Sequence, residues 1–284
     1  MPANDTSATP TRLPAALTWM PVQLVLLFVV LTASDLACQF LGALLVHASP
    51  APLRDAARVV AALILSVVMI AAYRYLVRVL EQRTADELQN STAVRGLVPG
   101  VLVGAGLFVL VYAILWALGA VTFGGFDGLA GIGHALAIAI ASAVGEEIVF
   151  RGVVYRRLEE RLGTAIALLI SATVFGLVHA GNTGANWVST LAIALESGVL
   201  LALAYAATRS LWLPIGLHFG WNVMLPFFGA NLSGFTMGLT GYALHWSVGS
   251  LWSGGSYGPE GSLLTTLTVI ALFWVVTRAS RKLP

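Results

Sequence analysis

Apolar residues occupy most of the chain in long runs separated by short polar breaks, and the breaks set the elements. The candidate spans are Met20 to Leu45, Ala56 to Leu80, Leu97 to Ala120, Ile132 to about Tyr155, Ala165 to Ala180, Trp187 to Ala207, Leu211 to Phe228 and Leu263 to Thr277. A bilayer core takes roughly 20 residues of helix per crossing, so the expected fold is all-α, a polytopic membrane bundle of about eight transmembrane helices. The fifth and eighth spans are the shortest. Residues 1–18 carry Pro, Thr and Ser but no apolar core of signal-peptide type, and read as a short disordered cytoplasmic tail. The stretch from Gly229 to Gly261 is the longest connection, rich in Gly and Ser, with Trp246, Trp252 and Tyr257 and no Lys or Arg. It reads as an aromatic-anchored loop on the outer face.

Composition agrees with this pattern and removes other classes. Of the 284 residues, 58% are hydrophobic and 10% charged, and the mean hydropathy is +0.87; soluble domains are far more polar. A single cysteine, Cys38, permits no internal disulfide and no cysteine metal site. The formal charge of +2 gives no case for nucleic acid. Under the positive-inside rule, Arg12, Arg74, Arg78, Arg83, Arg95, Arg151, Arg156, Arg157, Arg161, Arg209, Arg278, Arg281 and Lys282 fall on one side of the eight-helix scheme, and only Arg54 and Arg58 fall opposite. Both termini are thus expected in the cytoplasm, in a multi-pass protein of the cell (inner) membrane.

Ionisable side chains inside a bilayer are costly and mark functional sites. Those here are Asp35, His134, Glu146, Glu147, Arg151, His179, Glu196 and His218, joined by Asn222. Glu147 and Arg151 are one turn apart and pair on one face. Glu146 points about 100° away from that pair, which leaves it free and desolvated, suited to general-base work. The fourth helix is expected to run on until Gly163. Glu146 lies 17 residues before that glycine and His179 lies 16 after it, so both reach about the same height, roughly 25 Å from the turn. Phe175, one turn before His179, is placed to pack beneath its ring. His218 and Asn222, also one turn apart, offer a donor pair of the kind an oxyanion hole requires.

In combination, Glu146-Glu147-x-x-x-Arg151, Phe175-x-x-x-His179 and His218-x-x-x-Asn222 resemble the three signature motifs of the CPBP (CAAX protease and bacteriocin-processing) family, which includes the type II CAAX prenyl endopeptidases. The resemblance covers about Gly145 to Asn222. It implies an intramembrane endopeptidase in which Glu146 activates water, His179 helps to position it, His218 and Asn222 stabilise the oxyanion, and Glu147 with Arg151 holds the site together. On that reading residues 19–130 are membrane helices 1–3 and residues 131–284 are the catalytic core, with the motifs within 145–222. The expected partners are the lipid bilayer and a membrane-associated protein or peptide substrate.

No Ser or Cys stands with a base in this cluster, so a water nucleophile is expected rather than an acyl-enzyme. Glu146, His179 and His218 could also form a two-histidine, one-carboxylate zinc site. The metal-free mechanism is preferred, because Asn222 suits an oxyanion better than zinc and no His-Glu-x-x-His helix is present. The rival from another class is a non-catalytic membrane scaffold or immunity protein on the same fold. A transporter, which Asp35, Glu196 and Arg151 would motivate, predicts paired repeats and broken helices, and the sequence shows neither. Glu196 and Asp35 receive no role, His47, His134 and His245 are expected near solvated outer ends, and the glycine-rich run Gly254 to Gly261 looks like one found in some bacterial family members.

Overall fold

The structure, a computed structural model, describes residues 19–238 and 241–280, the side chains of residues 35, 38 and 275–280 excepted. The tail expected over 1–18, with Arg12, Arg281, Lys282 and the side chains of Asp35, Cys38 and Arg278, lies outside the described residues. Helices α1 (Met20–Ala48), α2 (Arg54–Leu76) and α3 (Ala93–Ala117) come first. The core follows as α4 (Ile132–Glu147), a wider-wound π segment (Ile148–Tyr155) and α5 (Arg156–His179). Next are α6 (Trp187–Ile193), a second π segment (Ala194–Val199), α7 (Leu200–Thr208) and α8 (Trp212–Phe227), and the chain continues to α9 (Ser250–Ser253) and α10 (Leu263–Ser280). The all-α membrane bundle expected from the hydrophobic pattern is the fold found. Among the described residues, five continuous helical stretches are long and apolar enough to cross a membrane. One of these, Ile132–His179, turns at Gly163, whose φ of 75° and ψ of 167° are not helical. A glycine adopts that conformation without a Cβ clash, and so one stretch becomes two antiparallel rods. Large apolar side chains such as Val67, Leu102, Leu169 and Trp187 face outward, as a lipid-solvated surface requires.

Two features were not expected. Strands β1 (Val121–Phe126) and β2 (Tyr242–Trp246) pair antiparallel, with Val121 opposite Trp246 and an irregularity between Phe123 and Phe126. The long connection is therefore partly ordered, with β2 and α9 inside it. The second is a close crossing of α3 and α8. A Cβ on Gly100 would stand 2.5 Å from the Leu213 carbonyl oxygen, one on Gly104 2.1 Å from that of Leu217, and one on Gly220 2.4 Å from that of Val101. Lipid offers helices little hydrophobic drive to associate, so contact comes from backbone approach at small residues spaced four apart. This crossing seats α8, which carries His218 and Asn222.

One end of the bundle is tied by ions. Arg156 meets Glu81 at 2.6 Å and Glu160 at 2.7 Å, and Arg83 meets Glu81 and Glu87, both at 2.8 Å. Arg157 donates to Gln23 of α1 at 2.6 Å, and Arg209 pairs with Glu159. Arg151, assigned to this end by helix position alone, instead sits wholly inside the protein. Tyr73 and Arg83 both donate to Glu87. Burial pushes the Glu87 carboxyl up, but the bonds from Arg83 and Tyr73 outweigh it and hold the group below the ordinary carboxylate range. A carboxyl depressed in the folded state contributes stability that is complete above its unfolded value and is lost as pH falls through the folded one. Detergent-solubilised protein should accordingly keep its melting temperature down to about pH 5 and lose it below about pH 4. Glu87→Gln should cost about 3 kcal/mol near neutrality and flatten the acid limb; identical pH profiles of melting for the two proteins would remove Glu87 from this role.

Candidate active site

The site grows outward from the end of α4. Glu147 is fully buried and its Oε1 accepts from Arg151 at 2.8 Å, one turn on. The Arg151 guanidinium also donates to the carbonyls of Ser197, at 2.6 Å, and Gly198, at 3.2 Å, and lies 4.6 Å above the Phe175 ring. Ser197 and Gly198 are in the second π segment, where irregular winding leaves carbonyls available to an outside donor. Such bulges recur at functional sites for this reason. Arg151 thereby joins α4 to α5 and to the α6–α7 stretch.

Glu147 has a second partner. His218 of α8 places Nδ1 2.9 Å from the same Oε1. A carboxylate only accepts, so this nitrogen carries a proton, and Nε2 is the atom left for other work. Asn222, one turn on, donates from Nδ2 to Ser142 Oγ at 3.0 Å. His218 thus joins the Glu147–Arg151 brace, while Asn222 is held separately on Ser142 of α4, a linkage that the spacing of the motifs did not reveal.

Glu146 stands apart from that unit. Its carboxylate is partly exposed, its Oε2 has no hydrogen-bond partner among the described residues, and it lines a cavity of about 970 Å³ between α1, α2 and α4. The nearest base is His179 of α5, with Nε2 3.7 Å from Glu146 Oε2. The Phe175 carbonyl accepts from His179 Nδ1 at 2.8 Å, which fixes the tautomer that presents a bare Nε2 toward Glu146. The Phe175 ring packs against the imidazole, with centroids 4.6 Å apart. Glu146, His179, His218, Asn222, Glu147 and Arg151 are therefore gathered at one depth. Among the described residues no three His, Cys, Asp or Glu side chains converge as a metal site.

Several contributors were not assigned from sequence. Glu196 is buried, with Oε1 accepting from Thr266 of α10 at 2.5 Å. Glu260, in the connection outside the spans, is buried too and accepts from Ser233 N at 2.8 Å and Ser233 Oγ at 2.6 Å. Burial raises its carboxyl above the ordinary range, against the Ser233 bonds and the nearby His218 and His179. These two bonds hold Ser233 at a φ of 47°, a conformation costly for a residue with a Cβ. The Ser233 carbonyl in turn accepts from Asn182, three residues past His179. The signal was present in the glycine-rich run around Glu260, but its contacts were not. His134 and His47, read as solvated, line the Glu146 cavity.

Removing Glu147 should strand Arg151 without a counter-charge, a loss of about 3–5 kcal/mol. Glu147→Ala should melt far below wild type in detergent and Glu146→Ala close to it, so equal melting of the two variants would contradict this division.

A family comparison falls on this part of the chain. Residues 128–224 match the family described as type II CAAX prenyl endopeptidase Rce1-like. The protein of Bacillus subtilis (strain 168) named "Putative membrane peptidase YdiL" is 34% identical over 93 residues, 32% of this chain and 36% of that relative. The chain thus spans about a third of the length of the curated relative it matches. No solved structure matches it. The segment 128–224 contains the three motifs and the side chains gathered around Glu146, and over it the chain is similar to the Rce1-like family.

Proposed function

We propose that this chain is an intramembrane endopeptidase that hydrolyses a peptide bond of a membrane-associated protein or peptide, with Glu146 activating the water. The observation that carries the reading is the approach of two bare acceptors. Glu146 Oε2 and His179 Nε2 are 3.7 Å apart, too far to bond to each other, and the Phe175 carbonyl on Nδ1 leaves Nε2 turned toward Glu146. A water that donates one hydrogen to each keeps its oxygen lone pairs free for a substrate carbonyl. On attack Glu146 takes the proton, the carbonyl oxygen becomes an oxyanion, and the same proton then passes to the departing amine.

The charges give a reason for two adjacent carboxylates. Glu146 and Glu147 bring two negative charges against the single positive charge of Arg151, and a doubly protonated His218 completes neutrality. In that form Nε2 of His218 donates to the oxyanion, with Glu147 as counter-ion on Nδ1. Asn222 has a second N–H beyond the one given to Ser142. No metal takes part in this scheme. Residues 131–284 form the catalytic core, residues 19–130 supply one wall of the cavity, and both termini face the cytoplasm of a cell-membrane protein.

The experiment is cleavage of membrane-anchored and peptide reporters by purified protein in vesicles. Glu146→Ala should lower cleavage by about 10³-fold and Asn222→Ala by about 10²-fold, while a zinc chelator leaves it intact. Equal cleavage by wild type and Glu146→Ala would overturn the assignment in favour of a non-catalytic scaffold. Chelator loss restored by zinc would replace the glutamate mechanism with a metal one.

A further inference from the structure

The cavity that receives Glu146 has a second chemical end. His47, Arg54, Arg58 and His134 line it together with Glu146, the sole acidic residue of the lining among the described residues. These four lie at one level. A Cβ on Gly133 would stand 2.4 Å from Asp55 Cβ, so the start of α2 rests on the start of α4, and the Arg54 Nε reaches the Ser49 carbonyl beside His47 at 3.4 Å. His134 precedes Glu146 by twelve residues on α4, about 18 Å along the helix axis. Between the two ends the wall is largely apolar, including Phe28, Ala62, Leu65, Ala137 and Ile138.

The two arginines are also the pair that breaks the positive-inside distribution. Cations on that side are not required by topology, and both of these face the same cavity. Arg58 is partly offset by Asp55 at 2.5 Å, whereas among the described residues Arg54 has the one long bond to Ser49. From this geometry we infer that the outer end of the cavity is an anion subsite that takes a carboxylate of the peptide substrate, with Arg54 as its principal partner. Guanidinium and carboxylate match as planar forks, which gives the pairing its geometric specificity at these exposed to half-buried arginines. An extended chain advances about 3.3 Å per residue, so the carboxylate belongs about five or six residues from the scissile bond. It is either the terminal carboxylate or an Asp or Glu side chain at that distance. The inference rests on the endopeptidase reading for its substrate.

The test has a binding arm and a cleavage arm, both in phosphatidylcholine vesicles so that no anionic lipid competes. Fluorescent alanine–leucine decapeptides with a free C-terminal acid, a C-terminal amide, or an amide plus one Glu stepped along the chain are titrated against the Glu146→Gln protein. The acid, or the peptide with Glu at the fitting position, should bind about tenfold tighter than the plain amide, the two forms separating the terminal from the side-chain source. Arg54→Gln, with its melting temperature checked, should abolish that preference and leave amide binding unchanged. Equal binding of acid and amide overturns the subsite. So does a preference that survives Arg54→Gln, or one seen only when phosphatidylglycerol is added to the vesicles in a parallel titration, which would make the arginines lipid anchors. In the cleavage arm, acid-dependent binding without cleavage by wild type retains the subsite and rejects the peptidase; cleavage indifferent to acid and amide does the reverse.

Discussion

The Glu147 carboxylate is the point on which this protein's interior depends. One oxygen, Oε1, accepts from Arg151 on its own helix and from His218 on α8. Arg151 extends the contact to Phe175 and to the carbonyls of Ser197 and Gly198. Four helical stretches therefore meet through one buried negative charge. A charge in that setting is tolerated only when its partners are fixed, and here fixing the partners also fixes the geometry around Glu146.

The rest of the bundle makes that arrangement affordable in a membrane. Helix α8 is brought close to α3 through Gly100, Gly104 and Gly220, where backbone meets backbone and no side chain intervenes. At the arginine-rich end, Glu81 and Glu87 gather Arg83 and Arg156 and lock α2 to the start of α5. At the other end Glu260 holds Ser233, and Ser233 holds Asn182 just beyond His179. The two histidines are thus restrained from different directions, His218 by a carboxylate and His179 by the Phe175 carbonyl and the chain that follows it. Such outer partners set ring orientation and tautomer, on which proton transfer depends.

The cavity links the site to the first two helices, since Glu146 lines a space framed by α1, α2 and α4. The same cavity runs from a carboxylate to two arginines, a polarity that an extended peptide would experience along its length.

The hydrophobic runs determined the membrane bundle, because a bilayer admits helices of a narrow length range and little else. The one-turn spacings determined three pairs that the structure contains: Glu147 with Arg151, Phe175 under His179, and His218 beside Asn222. Nearly equal distances on either side of Gly163, 17 and 16 residues, placed Glu146 and His179 at about one height, since the rise per residue of a helix is constant. Tertiary structure alone decided that His218 shares Glu147 with Arg151, that Glu260 reaches Ser233, and that the arginines expected on the outer side converge on the Glu146 cavity. The β1–β2 pair and both π segments near the site also lay beyond local pattern. Each depends on which side chain or strand arrives from a distant part of the chain, and helical periodicity records only what lies within a few turns.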